Sequence, residues 1–209
     1  MLTGFAAART GGRAAPDAPL YLNGRSFQVS LTKANSVILQ APSCRAIEAP
    51  AAALLTWKQE QTAYEPSELS CPCDGDRCRL EINEGLPGFV RDTIGKTALK
   101  ANCFNTALVG TGLARKIGFT PFFEFSKVLM QRCSRALSPG TGDIGVVSLK
   151  GDSVFPIHAF IYLTPEFGYE KPGSDPAEPW RFMNPSEELG GDGAPYSDES
   201  SEIVYFHCR

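Results

Sequence analysis

Residues 142–163 read GDIGVVSLKGDSVFPIHAFIYL. Two apolar runs, IGVVSL at 144–149 and IHAFIYL at 157–163, are separated by a Gly-Asp turn at 151–152, the pattern of a β-hairpin. In the second run, strand alternation puts His158, Phe160 and Tyr162 on one face and Ile157, Ala159, Ile161 and Leu163 on the other. The second set is expected core. His158 therefore looks across a different surface, one that a helix N-terminus can approach.

Working outward, the segment upstream changes period. Cys103 to Ile117, CFNTALVGTGLARKI, predicts a helix with Asn102 as N-cap and Arg115 and Lys116 in its last turn. Gly110 and Gly112 each weaken it by about 1 kcal/mol unless something packs close. Thr120-Pro121 predicts a second helix running to about Arg135, with the threonine as cap and the proline at the first position. Downstream, EPWRFM at 178–183 predicts one more strand, and the acidic, Gly-rich run from Glu187 to Glu202 a solvated loop. Two helices followed by antiparallel strands make an α+β layout.

The N-terminal part reads differently. Residues 1–18 are rich in Ala, Gly, Arg and Pro and are expected to be a disordered leader. Asn23-Gly24 is a strong hairpin signal between LYL and SFQVSL, and a third strand, SVILQ, follows Asn35. RLEI at 79–82 is another, while the Ala-rich Ala49–Trp57 fits no single element. The expected organisation is a leader (1–18), a small β-rich domain (19–90) and a second domain (91–209). Gly95-Lys96-Thr97 resembles the end of a phosphate-binding loop, but the glycine needed five residues earlier is Val90, so it reads as a turn.

The 209-residue chain is 43% hydrophobic and 21% charged, which excludes wholesale disorder. A net charge of −3 argues against a nucleic-acid or anionic-membrane partner, and no apolar run approaches the ~20 residues of a membrane span. Seven cysteines allow six to pair and leave one thiol. Cys71, Cys73 and Cys78 lie in CPCDGDRC, where the C-x-C spacing lacks a zinc clamp; disulfides are expected, and a zinc knuckle completed by His207 or Cys208 is the alternative. Cys133 is also expected in a disulfide. Disulfides imply an oxidising compartment. Met1–Ala15 holds no signal-peptide core and no Asn sits in a glycosylation acceptor, which leaves either a signal removed upstream or a cytosolic chain; with the cysteines, a trimmed, exported chain is the expectation. A monomer is expected.

A thiol nucleophile needs a nearby base and oxyanion donors. Cys103, at a helix start where unpaired N–H groups favour thiolate, and His158 are the candidates; Asp143 is expected to hold the turn before its strand. NCFNTAL at 102–108, GDIGVVS at 142–148 and IHAFIYL at 157–163 resemble the NlpC-type papain-like cysteine peptidases, a resemblance covering about Gly95 to Asn184. It implies a papain-like core of helices on an antiparallel sheet. It also implies a thiol hydrolase of peptide or amide bonds in peptidoglycan, with no metal or organic cofactor. The family's third polar residue falls at Glu170, with Asn184 as the rival; Asn102 is a candidate oxyanion donor, and Tyr162 and Trp180 are expected at the substrate. The sequence departs from the family in having Phe104-Asn105 where Ser-Gly is usual. Two other readings stay open. A water-excluding cleft would favour an acyltransferase or transamidase, and a buried or disulfide-bound Cys103 a non-catalytic binding module.

Overall fold

The computed structural model describes residues 19–23, 27–31, 36–57, 71–82, 86–97, 100–189, 196 and 200–209. The expected leader at 1–18 and the turn at Gly24 lie outside them. Among the described residues the chain is mixed α+β, with four helices and two antiparallel sheets.

The first sheet has the order β1-β2-β3-β5-β4: β1 Pro19–Asn23, β2 Phe27–Leu31, β3 Val37–Ala41, β5 Arg77–Ile82 and the two-residue β4 Cys73–Asp74. β5 shows the strand period plainly, with Cys78, Leu80 and Ile82 buried and Arg77, Arg79 and Glu81 exposed. The Ala-rich segment that fits no strand is α1, Cys44–Thr56, which buries Ile47, Ala51, Ala53, Leu54 and Leu55. Alanine's high helix propensity carries it, even with Pro50 inside.

After α2 (Gly88–Thr93) come α3 (Cys103–Gly110) and α4 (Phe122–Arg132). The second sheet has the order β10-β9-β8-β7-β11-β6: β10 Arg181–Met183, β9 Phe167–Glu170, β8 Asp152–Thr164, β7 Ile144–Leu149, β11 Ser201–Cys208 and β6 Cys133–Ala136. The hairpin read from the sequence is β7–β8, in a register that sets Val147 opposite His158 and Ile144 opposite Ile161.

Both predicted helices are shorter than expected. α3 stops at Gly110 because Gly112 adopts φ +78°, a left-handed conformation that ends the helical path, and its N–H closes onto the Val109 carbonyl. In α4 the extended Pro121, not Thr120, is the cap, and the chain leaves the helix after Arg132 because Cys133 begins β6, paired with β11. The acidic run expected to be a solvated loop is corrected in two places. Glu188 is buried, and Ser201 opens β11, the strand that joins β7 to β6.

One buried cluster runs from Val29, Leu39 and Leu80 of the first sheet, through Leu54 and Trp57, to Ile161, Tyr169 and Phe182 of the second. A second holds α3 and α4 on the sheet: Cys103, Phe104, Ala107 and Leu108 meet Phe125, Leu129, Ile144 and Ala159, with Phe104 stacked on Phe125 at 4.8 Å. The opposite face of β8 is covered too, since Phe160 and Tyr162 are buried with Val147 and Met183. Burying each such side chain contributes ~1.5–3 kcal/mol. Ile157, expected in the core, is 42% exposed; it is the residue skipped where the β7–β8 register shifts from Val147–His158 to Ser148–Pro156.

Six cysteines form Cys44–Cys71, Cys73–Cys78 and Cys133–Cys208, and Cys103 is the free thiol. No helix of the described residues is long and apolar enough to cross a membrane.

Candidate active site

Cys103 is the first residue of α3, and the cap before it fixes that position. The Asn102 side-chain oxygen accepts from Asn105 N–H at 3.1 Å and Thr120 N–H at 3.2 Å, and its amide donates to the Thr120 carbonyl at 2.8 Å. Both ends of the Asn102 amide are thus engaged in holding the helix start against the segment that leads into α4. At the other end of α3, an ideal Cβ on Gly110 would lie 1.7 Å from Ile161 Cδ1, so only glycine lets the helix come this close to β8. Thr106, one turn into α3, accepts a hydrogen bond from Trp180 Nε1 at 2.9 Å.

β8 supplies His158 and β9 supplies Glu170. The register Ile161 opposite Tyr169 places Glu170 one step further along, as a diagonal neighbour of His158. Their side chains meet: His158 Nε2 and Glu170 Oε2 are 2.6 Å apart, both residues about 1% exposed. Glu170's other oxygen accepts from Arg181 Nε at 2.7 Å, Arg181 being its cross-strand partner on β10. Nδ1 of His158, equally buried, has no hydrogen-bond partner among the described residues.

Burial alone would disfavour a charged imidazole. The neighbouring Cys103 thiol and the hydrogen-bonded Glu170 carboxylate outweigh it, so His158 sits well above its ordinary pKa. For Glu170 burial pushes upward, but His158 and Arg181 more than reverse it, and the carboxyl stays below its ordinary range. With Nε2 bonded to Glu170, Nδ1 is the ring position left to exchange a proton with the thiol. The arrangement is a thiol, an imidazole and an orienting carboxylate in series, which is the equipment of nucleophilic catalysis.

The remaining expected residues make other contacts. Asn184 does not touch the imidazole; it caps a 3-10 turn at Pro185–Glu187, accepting from Ser186 N–H at 3.1 Å and donating to Glu187 at 2.9 Å. Tyr162 packs edge-on against Tyr205, and Trp180, the donor to Thr106 of α3, is buried with the Lys171 ammonium 6.0 Å from its ring centre. Asp143 holds its turn by accepting from Gly140 N–H at 2.8 Å and pairs with His207 at 2.8 Å.

Three groups at the site escape the sequence reading. Arg181 could be found only from the β9–β10 register. Tyr196 stacks on the imidazole with ring centres 5.3 Å apart. Glu188 brings a ligand-type oxygen within 4.8 Å of those of His158 and Glu170. That spacing would suit a metal as well as a proton; His158 Nε2 and both Glu170 oxygens are already hydrogen-bonded to one another and to Arg181, while Glu188 Oε2 has no hydrogen-bond partner among the described residues. Cys44, Cys73 and Cys78 also cluster, as members of disulfides rather than as thiolate ligands. On the surface, the exposed Phe122 of α4 lies against Phe123 and, on β8, Phe155, with ring centres 5.9 and 6.1 Å apart. No protein-family model, curated protein or solved structure matches the chain.

Proposed function

We propose that the protein is a papain-like thiol hydrolase of peptide or amide bonds, with peptidoglycan peptides as the substrate class. The observation that carries this is a buried His158 imidazole fixed through Nε2 by the Glu170 carboxylate, its Nδ1 left without a hydrogen-bond partner among the described residues, with the free Cys103 at the start of α3 near enough to help raise its pKa. In this reading the Cys103 sulfur attacks the scissile carbonyl carbon and forms an acyl-enzyme. His158 takes the thiol proton and delivers it to the leaving amine. Water then attacks the acyl-enzyme, with His158 receiving its proton, and the thiol is regenerated. Glu170 keeps the ring oriented and favours its charged form, as the third member of such a site does. The Cys103 N–H, unpaired at a helix start, is the oxyanion donor on this path. Peptidoglycan enters through the resemblance of the Cys103 and His158 segments to NlpC-type peptidases. Three disulfides accord with action outside the reducing cytosol, in a secreted or periplasmic setting.

One observation favours a second reading. Cys103 is only 4% exposed, as it would be in a non-catalytic binding module or in a water-excluding acyltransferase. Incubation with peptidoglycan fragments, with and without an added amine, separates the three by mass spectrometry of the products. The hydrolase reading expects cleaved peptides from the parent and none from Cys103→Ala or His158→Ala. Amine adducts would make it a transferase. Binding with equal turnover by parent and Cys103→Ala would remove the thiol chemistry altogether.

A further inference from the structure

We infer that Glu188 is a positioning residue of the Cys103–His158 site, a second buried carboxyl whose charge state governs how firmly the imidazole is held as a cation. The inference rests on the thiol–imidazole reading above and adds a member to it.

The geometry comes first. The capped turn Pro185–Glu187 delivers Glu188 inward, and its backbone carbonyl accepts from Tyr196 N–H at 3.1 Å, the residue whose ring covers His158. The side chain is buried, its Oε2 has no hydrogen-bond partner, and its carboxylate lies within 4.8 Å of the His158 and Glu170 ligand atoms. An unpartnered buried carboxylate oxygen is costly unless it is protonated or faces a positive charge. Among the described residues, the only cation facing it besides the imidazole is Arg181 on β10, whose Nε is already bonded to Glu170. The other groups facing it are Glu170 on β9, His158 on β8, the Tyr196 hydroxyl and its own neighbour Glu187.

Burial, then the Glu170 charge, push the Glu188 carboxyl up to about 7, against the opposing pull of His158 and Arg181. Below that pH, Glu170 is the one carboxylate at the imidazole, and Arg181 balances it. Above it, Glu188 adds a second negative charge beside the ring, and the imidazolium is favoured further. Loss of the Glu188 proton therefore extends the charged form of the base to higher pH.

The test uses the full chain with disulfides intact and imidazole NMR titration, His207→Gln assigning the two histidines. The parent is expected to show an inflection near pH 7 in the His158 signals, from Glu188, apart from the titration of His158 itself. Glu188→Gln should lose that inflection and shift the His158 titration to lower pH, whereas Glu188→Asp and Glu187→Gln should both retain an inflection. Near-UV circular dichroism confirms that each variant is folded, and Glu188→Asp carries the test if Glu188→Gln does not fold. A parent titration without the inflection, or one that persists in Glu188→Gln, overturns the inference. Neither result depends on turnover, so an inactive parent with the inflection would sink the hydrolase reading alone, and an active one without it the Glu188 role alone.

Discussion

Replacing Gly110 by alanine puts a methyl group where α3 meets β8. The added carbon would lie 1.7 Å from Ile161 Cδ1, 3.0 Å from its Cγ1 and 3.3 Å from Trp57 Cζ2, all in a fully packed layer. Carbon atoms rest ~3.5–4 Å apart, so the helix and strand must separate or Ile161 must leave its rotamer. Overpacking of this kind costs about 1–3 kcal/mol, and the better helix propensity of alanine offsets at most ~1 kcal/mol of it. Ile161→Val deletes the Cδ1 atom that clashes and by itself costs about 0.5–1.5 kcal/mol. The double variant should therefore be more stable than the sum of the singles by ~1 kcal/mol or more, measured by denaturant unfolding at constant m value. A functional readout follows, because α3 carries Cys103 and β8 carries His158. A 1 Å retreat of a reacting group can cost on the order of 100-fold in rate, so Gly110→Ala should lose hydrolysis and Ile161→Val should restore part of it. If Gly110→Ala is as stable as the parent and the cycle is additive within ~0.5 kcal/mol, the claim that this contact sets the helix–strand distance fails.

Glu170→Gln should keep a hydrogen bond to His158 but remove the charge, leaving partial hydrolysis and an imidazole that titrates lower by NMR. Asn184→Ala should instead cost about 1 kcal/mol of stability as a lost cap and leave the His158 titration in place; inactivation by Asn184→Ala with a silent Glu170→Gln would transfer the orienting role to Asn184. Serines at Cys133 and Cys208, which close 75 residues of sequence, should lower unfolding free energy by roughly 4 kcal/mol on the loop-entropy account, and an unchanged midpoint would refute it. For Glu188 the folded value of about 7 exceeds the ordinary 4.5, so its contribution is complete below the unfolded value and is lost as pH rises through 7. The stability of Glu188→Gln relative to the parent should therefore grow between pH 4.5 and 7.5 by up to ~3 kcal/mol, and a pH-independent difference would contradict the buried carboxyl.

What could be read from the sequence alone is what short-range patterns encode. The β7–β8 hairpin follows from two apolar runs around a Gly-Asp turn, and the start of α3 from an Asn cap before an apolar helix. An odd cysteine count with one thiol at a helix start singles out Cys103, as the pairing of the other six bears out. Glu170 was within reach only through the family resemblance, whose third polar residue falls on the strand after His158; the antiparallel β8–β9 pairing is what brings residue 170 beside residue 158. Local patterns did not reveal Arg181, Tyr196 and Glu188. Arg181 depends on the register of a third strand, and the other two come from a segment whose acidic, Gly-rich composition reads as solvated. A carboxyl there is buried because the capped turn after β10 carries it onto the face of β8, against neighbours from three different strands. Likewise the shortened α3 needs the closeness of Ile161, 51 residues away, to explain why a glycine stands at its end. Cap, turn and strand chemistry act over a few residues and are written locally; which charge ends up beside His158 is decided only when the sheet closes.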